Sequence, residues 1–162
     1  MKKFIIAVLA TCITVLTAHS QTEERLVIHA GQVTTLDIAD NMNVVLVQSS
    51  AADSVTRINS ETSKKLQITL SPDALSVSPA HGLSRNAVVY IVVGDLKTLT
   101  LGQATKLQNE GTLQLNKLDI YLQDNCVVKI RTNGKVKAYS LGQFEVNLTR
   151  TPVMTGVVAT TF

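Results

Sequence analysis

The sequence predicts an all-β solenoid with an N-terminal strand-and-hairpin portion, and three observations carry that expectation. The first is a repeat. Ile38–Val44, Leu101–Leu107, Leu122–Val128 and the stretch from Leu141 to Val146 each place an aliphatic anchor before a short polar or small-residue run, with a second aliphatic position after it. The sequence intervals between the anchors Ile38, Leu101, Leu122 and Leu141 are 63, 21 and 19, and 63 is three periods of 21. A fixed period near twenty marks an architecture in which each unit buries its apolar face only by stacking on the next. The second observation is composition: Val, Ile, Leu and Thr are abundant, Trp is absent and only three prolines occur. β-Branched residues suit a pleated, half-buried surface. The third is punctuation. Gly102, Asn109 with Gly111, Asn125, Asn133-Gly134 and Gly142 recur between apolar strands, and Gly and Asn tolerate the left-handed backbone that sharp corners need. A β-sandwich shares the last two observations, so it stays open as an alternative.

From the N-terminus, Leu26 and Ile28 alternate with Val27 and His29, and Gly31 turns the chain into a strand over Val33–Ile38. Asp40-Asn41 makes the next turn and Asn43–Gln48 the next strand. After the polar loop Ser49–Asp53, Ser54–Ile58 reads as a strand, and Ser60–Lys65 as one helical turn capped by Ser60 or Thr62. Leu66–Leu70 alternates, Ser71-Pro72-Asp73 turns, and Ala74–Ser78 pairs back as a hairpin. Ala87–Val93 is the most apolar strand. Beyond Gly94-Asp95 the coils begin. Leu96, Leu99 and Leu101 open one; Leu113, Leu115, Leu118, Ile120 and Leu122 the next; Val136, Ala138 and Leu141 the third.

Residues 1–20 read as a signal peptide: Lys2-Lys3, an apolar run from Phe4 to Thr17, and the small-x-small site Ala18-His19-Ser20. The run is too short for a transmembrane helix. A minority alternative is lipidation at Cys12, because Leu9-Ala10-Thr11-Cys12 resembles a lipobox. The expected address is therefore export, to the periplasm, cell surface or extracellular space. Without Lys2 and Lys3 the chain carries 13 basic and 12 acidic residues, a balance that gives no nucleic-acid footprint. Residues 21–162 are one domain's worth, and with Cys126 as the one remaining cysteine they form no intrachain disulfide.

Leu36–Gln48, Gly94–Gly102 and Leu118–Leu122 resemble the opening and the coil repeats of the auto-transporter adhesin head GIN domain family. There, Leu-x-x-Leu or Leu-x-Ile-x-Leu strands lead into Ser-Gly-Ala-like corners, which in this chain are Gly-Gln-Ala, Gln-Asp-Asn and Gly-Gln-Phe. The resemblance spans the whole mature chain. It implies a right-handed single-stranded parallel β-helix, common in exported proteins of the Bacteroidetes, with an adhesin label and no catalytic residues to carry over.

Two clusters are candidate sites. The corner column Asp40, Gln103, Asp124 and Gln143 would line one ridge if coils stack in register, and ridge carboxylates can serve as acid, base or calcium ligand. The competing and favoured reading is that they cap turn N–H groups. Lys129, Arg131, Lys135 and Lys137 form a candidate anionic-ligand patch, with the Asn133-Gly134 turn expected to bring the two pairs together. No aromatic residue is expected to interleave them; the alternative is a solvated face that discourages edge pairing. His29 and His81 have no partner at metal-ligand spacing, and Ser84 has no orienting acid. Cys126 reads as a small buried hydrophobe.

No catalytic residue, metal or cofactor is expected. The expected function is a non-enzymatic extracytoplasmic adhesin-like surface or envelope binding domain. Its partners would be glycans, envelope components or further copies meeting at the solenoid edge, Val153 to Thr160. The alternatives are a carbohydrate-active β-helix, lyase- or hydrolase-like, and a purely structural periplasmic domain.

Overall fold

Most strands with described burial bury alternate side chains, and those buried faces decide how the chain stacks. The computed structural model describes residues 24–49, 57–58, 60–140 and 142–150. The leader, Cys12, the anchor Leu141 and the edge Val153 to Thr160 lie outside the described residues. The elements in chain order are β1 (Arg25–His29), β2 (Thr35–Ile38), β3 (Asn43–Gln48), β4 (Arg57–Ile58), α1 (Ser60–Lys65), β5 (Leu66–Leu70), β6 (Ala74–Pro79) and β7 (Val88–Val93). They continue as β8 (Thr98–Leu101), β9 (Lys106–Glu110), β10 (Lys117–Leu122), β11 (Cys126–Thr132), β12 (Lys135–Ser140) and β13 (Phe144–Arg150). The regular structure among the described residues is all β apart from α1.

The strands form two sheets that share one core. The seven-stranded sheet has the order β13-β11-β9-β3-β7-β1-β4, and the six-stranded sheet β12-β10-β8-β2-β6-β5. From β6 onward the chain alternates strictly between them, and every pairing is parallel except β1–β4 and β5–β6. Inner residues fall into register rows. Leu75, Leu36, Leu99, Ile120 and Ala138 form one, and Val77, Ile38, Leu101, Leu122 and Ser140 another. Leu26, Val89, Val44, Leu107, Val128 and Val146 form a third in the larger sheet. Most of these side chains are buried, and burying each Leu or Ile stabilises by about 1.5–3 kcal/mol. With no disulfide in reach of the buried Cys126, this aliphatic stacking and the backbone ladders hold the described fold together.

The hairpin and the helical turn stand where the sequence places them, with β5 and β6 antiparallel and α1 over Ser60–Lys65. The first strands, however, are more than an N-terminal strand-and-hairpin portion. β7 inserts between β1 and β3, and β2 lies between β6 and β8, so strands distant in sequence interleave. That interleaving is why the first interval in the repeat spans three periods: Ile38 pairs directly with Leu101, and Leu101 with Leu122. The last interval departs from expectation, since Leu122 pairs with Ser140, one position before the expected anchor. Cys126 pairs with Phe144 on the far side of the same corner, so register puts Gly142, and not Gln143, in the place of Asp124.

One end of the stack is closed by antiparallel edge strands, β4 in one sheet and β5 in the other, with α1 between them in the chain. Lys65 of α1 pairs with Glu24, and the buried Thr62 packs beside β1. Among the described residues the other end presents the parallel edges β12 and β13.

Candidate functional site

The corner column is a ladder of backbone caps. Asp40 Oδ1 accepts the Gln103 N–H at 2.8 Å, and Asp124 Oδ1 accepts the Gln143 N–H at 2.9 Å. The next residues, Asn41, Ala104 and Asn125, have φ of 59°, 55° and 60°. Their N–H groups donate to the carbonyls of Gln103, Asp124 and Gln143 in the following corner. The carboxylates come close because glycines face them: a Cβ on Gly102 would lie 2.3 Å from Asp40 Oδ1, and one on Gly142 2.7 Å from Asp124 Oδ1. These corners therefore hold successive strands together, and their acids are engaged by backbone donors. No group of three or more His, Cys, Asp or Glu side chains arranged to hold a metal occurs among the described residues.

The second corner is bracketed by amides. Asn109 Oδ1 accepts the Arg131 N–H at 2.7 Å while its Nδ2 donates to the Arg131 carbonyl at 3.0 Å. Gln48 Oε1 accepts the Gln114 N–H, and Asn133 Oδ1 accepts the Leu115 N–H. Cys126 is 1% exposed with Sγ 3.1 Å from the Gly102 carbonyl, and burial raises its pKa. A buried neutral thiol is a packing group, not a nucleophile. Ser84 Oγ accepts the Asn86 N–H in a local turn.

The four predicted cations divide between the sheets. Lys129 and Arg131 project from β11 on the outer face of the larger sheet, while Lys135 and Lys137 project from β12 on the outer face of the smaller one. The turn at Asn133-Gly134 carries the chain from one sheet to the other, so it separates the pairs instead of uniting them. That corrects the single-patch expectation.

On the larger sheet Lys129 lines two adjoining depressions. One, of about 490 Å³, has an apolar floor of Val45, Val88 and Val127, with Lys106, Lys129, Gln108, Asn43 and Asn86 around it. Val45 is 3% exposed although it faces outward. The other, of about 480 Å³, is polar and is bounded by Lys129, Arg131, Asn109, Asn147 and Thr149. A search for clustered cations misses Lys106, yet the repeat holds its signal. Lys106 pairs with Val127 one period later, and Gln108, two residues on, pairs with Lys129.

On the smaller sheet the cations do have aromatic neighbours, contrary to expectation. Alternation along β12 puts Tyr139 on the face of Lys135 and Lys137, and along β10 puts Tyr121 on the face of Lys117 and Asp119. Tyr121 and Tyr139 are register partners whose rings stack with centroids 5.1 Å apart and planes 16° from parallel. Lys117 Nζ donates to Asp119 Oδ2 at 2.5 Å, and that hydrogen bond raises the Lys117 pKa.

No family model matches the chain, and no curated protein or solved structure matches it either. No helix among the described residues is long and apolar enough to cross a membrane.

Proposed function

We propose that this chain is a non-enzymatic, extracytoplasmic, adhesin-like binding domain built on a right-handed parallel β-helix, and that it captures an anionic amphipathic component of the cell envelope. The handedness, the export and the adhesin role rest on the resemblance to the GIN domain family and on the N-terminal leader pattern. The observation that carries the binding site is the groove of about 490 Å³ on the larger sheet. Its valine floor suits an apolar moiety, and Lys106 and Lys129 at its margin suit an acidic headgroup or sugar acid. The capping role of Asp40 and Asp124 supports a binding reading over a carbohydrate-active one, because the corner acids already accept backbone hydrogen bonds.

The test is sedimentation of the protein with vesicles of anionic lipid or lipopolysaccharide, beside neutral vesicles. Wild type co-sediments with the anionic set, and Lys106→Glu/Lys129→Glu loses at least about tenfold in affinity, which corresponds to about 1.4 kcal/mol. Equal retention of that variant and wild type removes the groove as the site.

A further inference from the structure

The stacked tyrosines lie on the opposite sheet from the groove and call for their own account. Their centroid separation is close to the ~4.8 Å spacing of neighbouring strands, so the rings stack face to face along the direction in which strands are added. One face of Tyr121 is covered by Tyr139. The other looks toward β8, where its register partner is the small Thr100, and beyond that Asp37 of β2. This is why Tyr121, on an interior strand, is 44% exposed.

The space above Thr100 is bounded by the Tyr121 ring on one side and the Asp37 carboxylate on the other. The two are two strand spacings apart, roughly 9.6 Å. A sugar ring in van der Waals contact with Tyr121, at about 3.5–4.0 Å, leaves roughly 6 Å to the Asp37 strand, a gap for a ring substituent or a bridging water to span. The next row adds the Thr98 hydroxyl beside Asp119. Beyond the tyrosines stand Lys117, Lys135 and Lys137, all exposed on the same face.

An aromatic face, hydroxyls and a carboxylate at its border, and cations one or two rows away form a recognition pattern for a sugar chain. The C–H face of a pyranose packs on the ring, its hydroxyls bond to Thr and Asp, and acidic groups on adjoining units meet lysine. We propose that the outer face of β10 and β12 binds an acidic oligosaccharide, with one sugar ring stacked on the open face of Tyr121 above Thr100. A nucleic acid would also stack on tyrosine, and the single-stranded oligonucleotide in the titration separates that occupant from the oligosaccharide.

The chain has no Trp and three tyrosines, two of them in this stack, so tyrosine fluorescence reports on the site directly. The full chain is titrated with a galacturonic acid oligosaccharide, a neutral glucose oligosaccharide of equal length and a single-stranded oligonucleotide. Saturable binding to the acidic oligosaccharide is expected. It weakens about tenfold or more in Tyr121→Ala, returns to within about twofold in Tyr121→Phe, and falls in Lys137→Glu. The stack is read by the Tyr121 variants and the groove by vesicle sedimentation of Lys106→Glu/Lys129→Glu, so failure here is distinguishable from failure of the groove reading. If Tyr121→Ala does not fold, Tyr121→Thr, which matches its register partner Thr100, replaces it. Absence of saturable binding, equal affinity for the neutral sugar, wild-type affinity in the truncated variant, or preference for the oligonucleotide each overturns the assignment.

Discussion

The two halves of the stack use the same register rows but assemble them from different distances along the chain. In the first half Leu36 sits between Leu75 and Leu99, and Val44 between Val89 and Leu107, so each neighbour comes from two or three periods away. In the second half Leu99, Ile120 and Ala138 follow one another, as do Leu107, Val128 and Val146, each a single period after the last. The first half is closed by antiparallel edges and α1; the second carries the tyrosine stack and most of the exposed cations, and the groove straddles the two, from Val45 and Val88 to Val127. A parallel stack of short strands can thus be knitted from interleaved segments at one end and wound consecutively at the other. The core rows do not distinguish the two, but the cost of closing the chain does.

Core truncation should expose that difference most strongly. Ile91 of β7 and Ile120 of β10 are both fully buried, and replacing either by Ala should destabilise by about 3–4 kcal/mol. The kinetics should diverge. Ile120→Ala should mainly slow folding, because the consecutive strands close short loops first, while Ile91→Ala should mainly speed unfolding. Denaturant-dependent rates for both variants check this; equal partitioning would mean that both halves form together.

The corners give smaller effects. A Cβ on Gly102 would lie 2.5 Å from the Asp40 backbone nitrogen, at a joint between the two halves, so Gly102→Ala should cost about 2–3 kcal/mol in urea unfolding. Asp40 caps the joint of the halves and Asp124 a joint within the second. Asp40→Ala and Asp124→Ala should each cost about 1 kcal/mol, since each leaves a backbone N–H without its carboxylate. A markedly larger loss for Asp40 would show that the halves are coupled mainly through that corner. The smallest change runs the other way. Ala104 holds φ 55° where the equivalent corners carry Asn41 and Asn125, so Ala104→Asn should raise stability by up to about 1 kcal/mol. A thermal melt measures it.

Much of the scaffold was readable from residues. Alternation located β1, β3, β5 and β6 closely, Ser71-Pro72-Asp73 the hairpin, and the anchors Ile38, Leu101 and Leu122 one inner row. The interleaving was readable only as a triple interval, because a period tells how far apart equivalent positions lie and not which strand fills the places between them. The slip at Ser140 was hidden for a related reason: Leu141 looks like the better anchor, but pairing follows the strand's hydrogen-bond ladder. At the candidate sites residue type marks the cations, but sequence distance groups pairs that the sheet change at Asn133-Gly134 separates. Tyr139 stands two residues after Lys137 on the same face, yet only the strand pairing brings it to Tyr121.

By itself, then, the sequence determined which faces are apolar, where the chain turns and that equivalent corners recur, since these depend on side-chain periodicity and local backbone preference. Only the tertiary structure decided that β7 enters between β1 and β3, that Lys129 and Lys137 part company, and that Tyr121 meets Tyr139. Those are choices of strand neighbour. Hydrogen-bond ladders between parallel strands are chemically alike, so which pair forms is settled by the packing of the whole core.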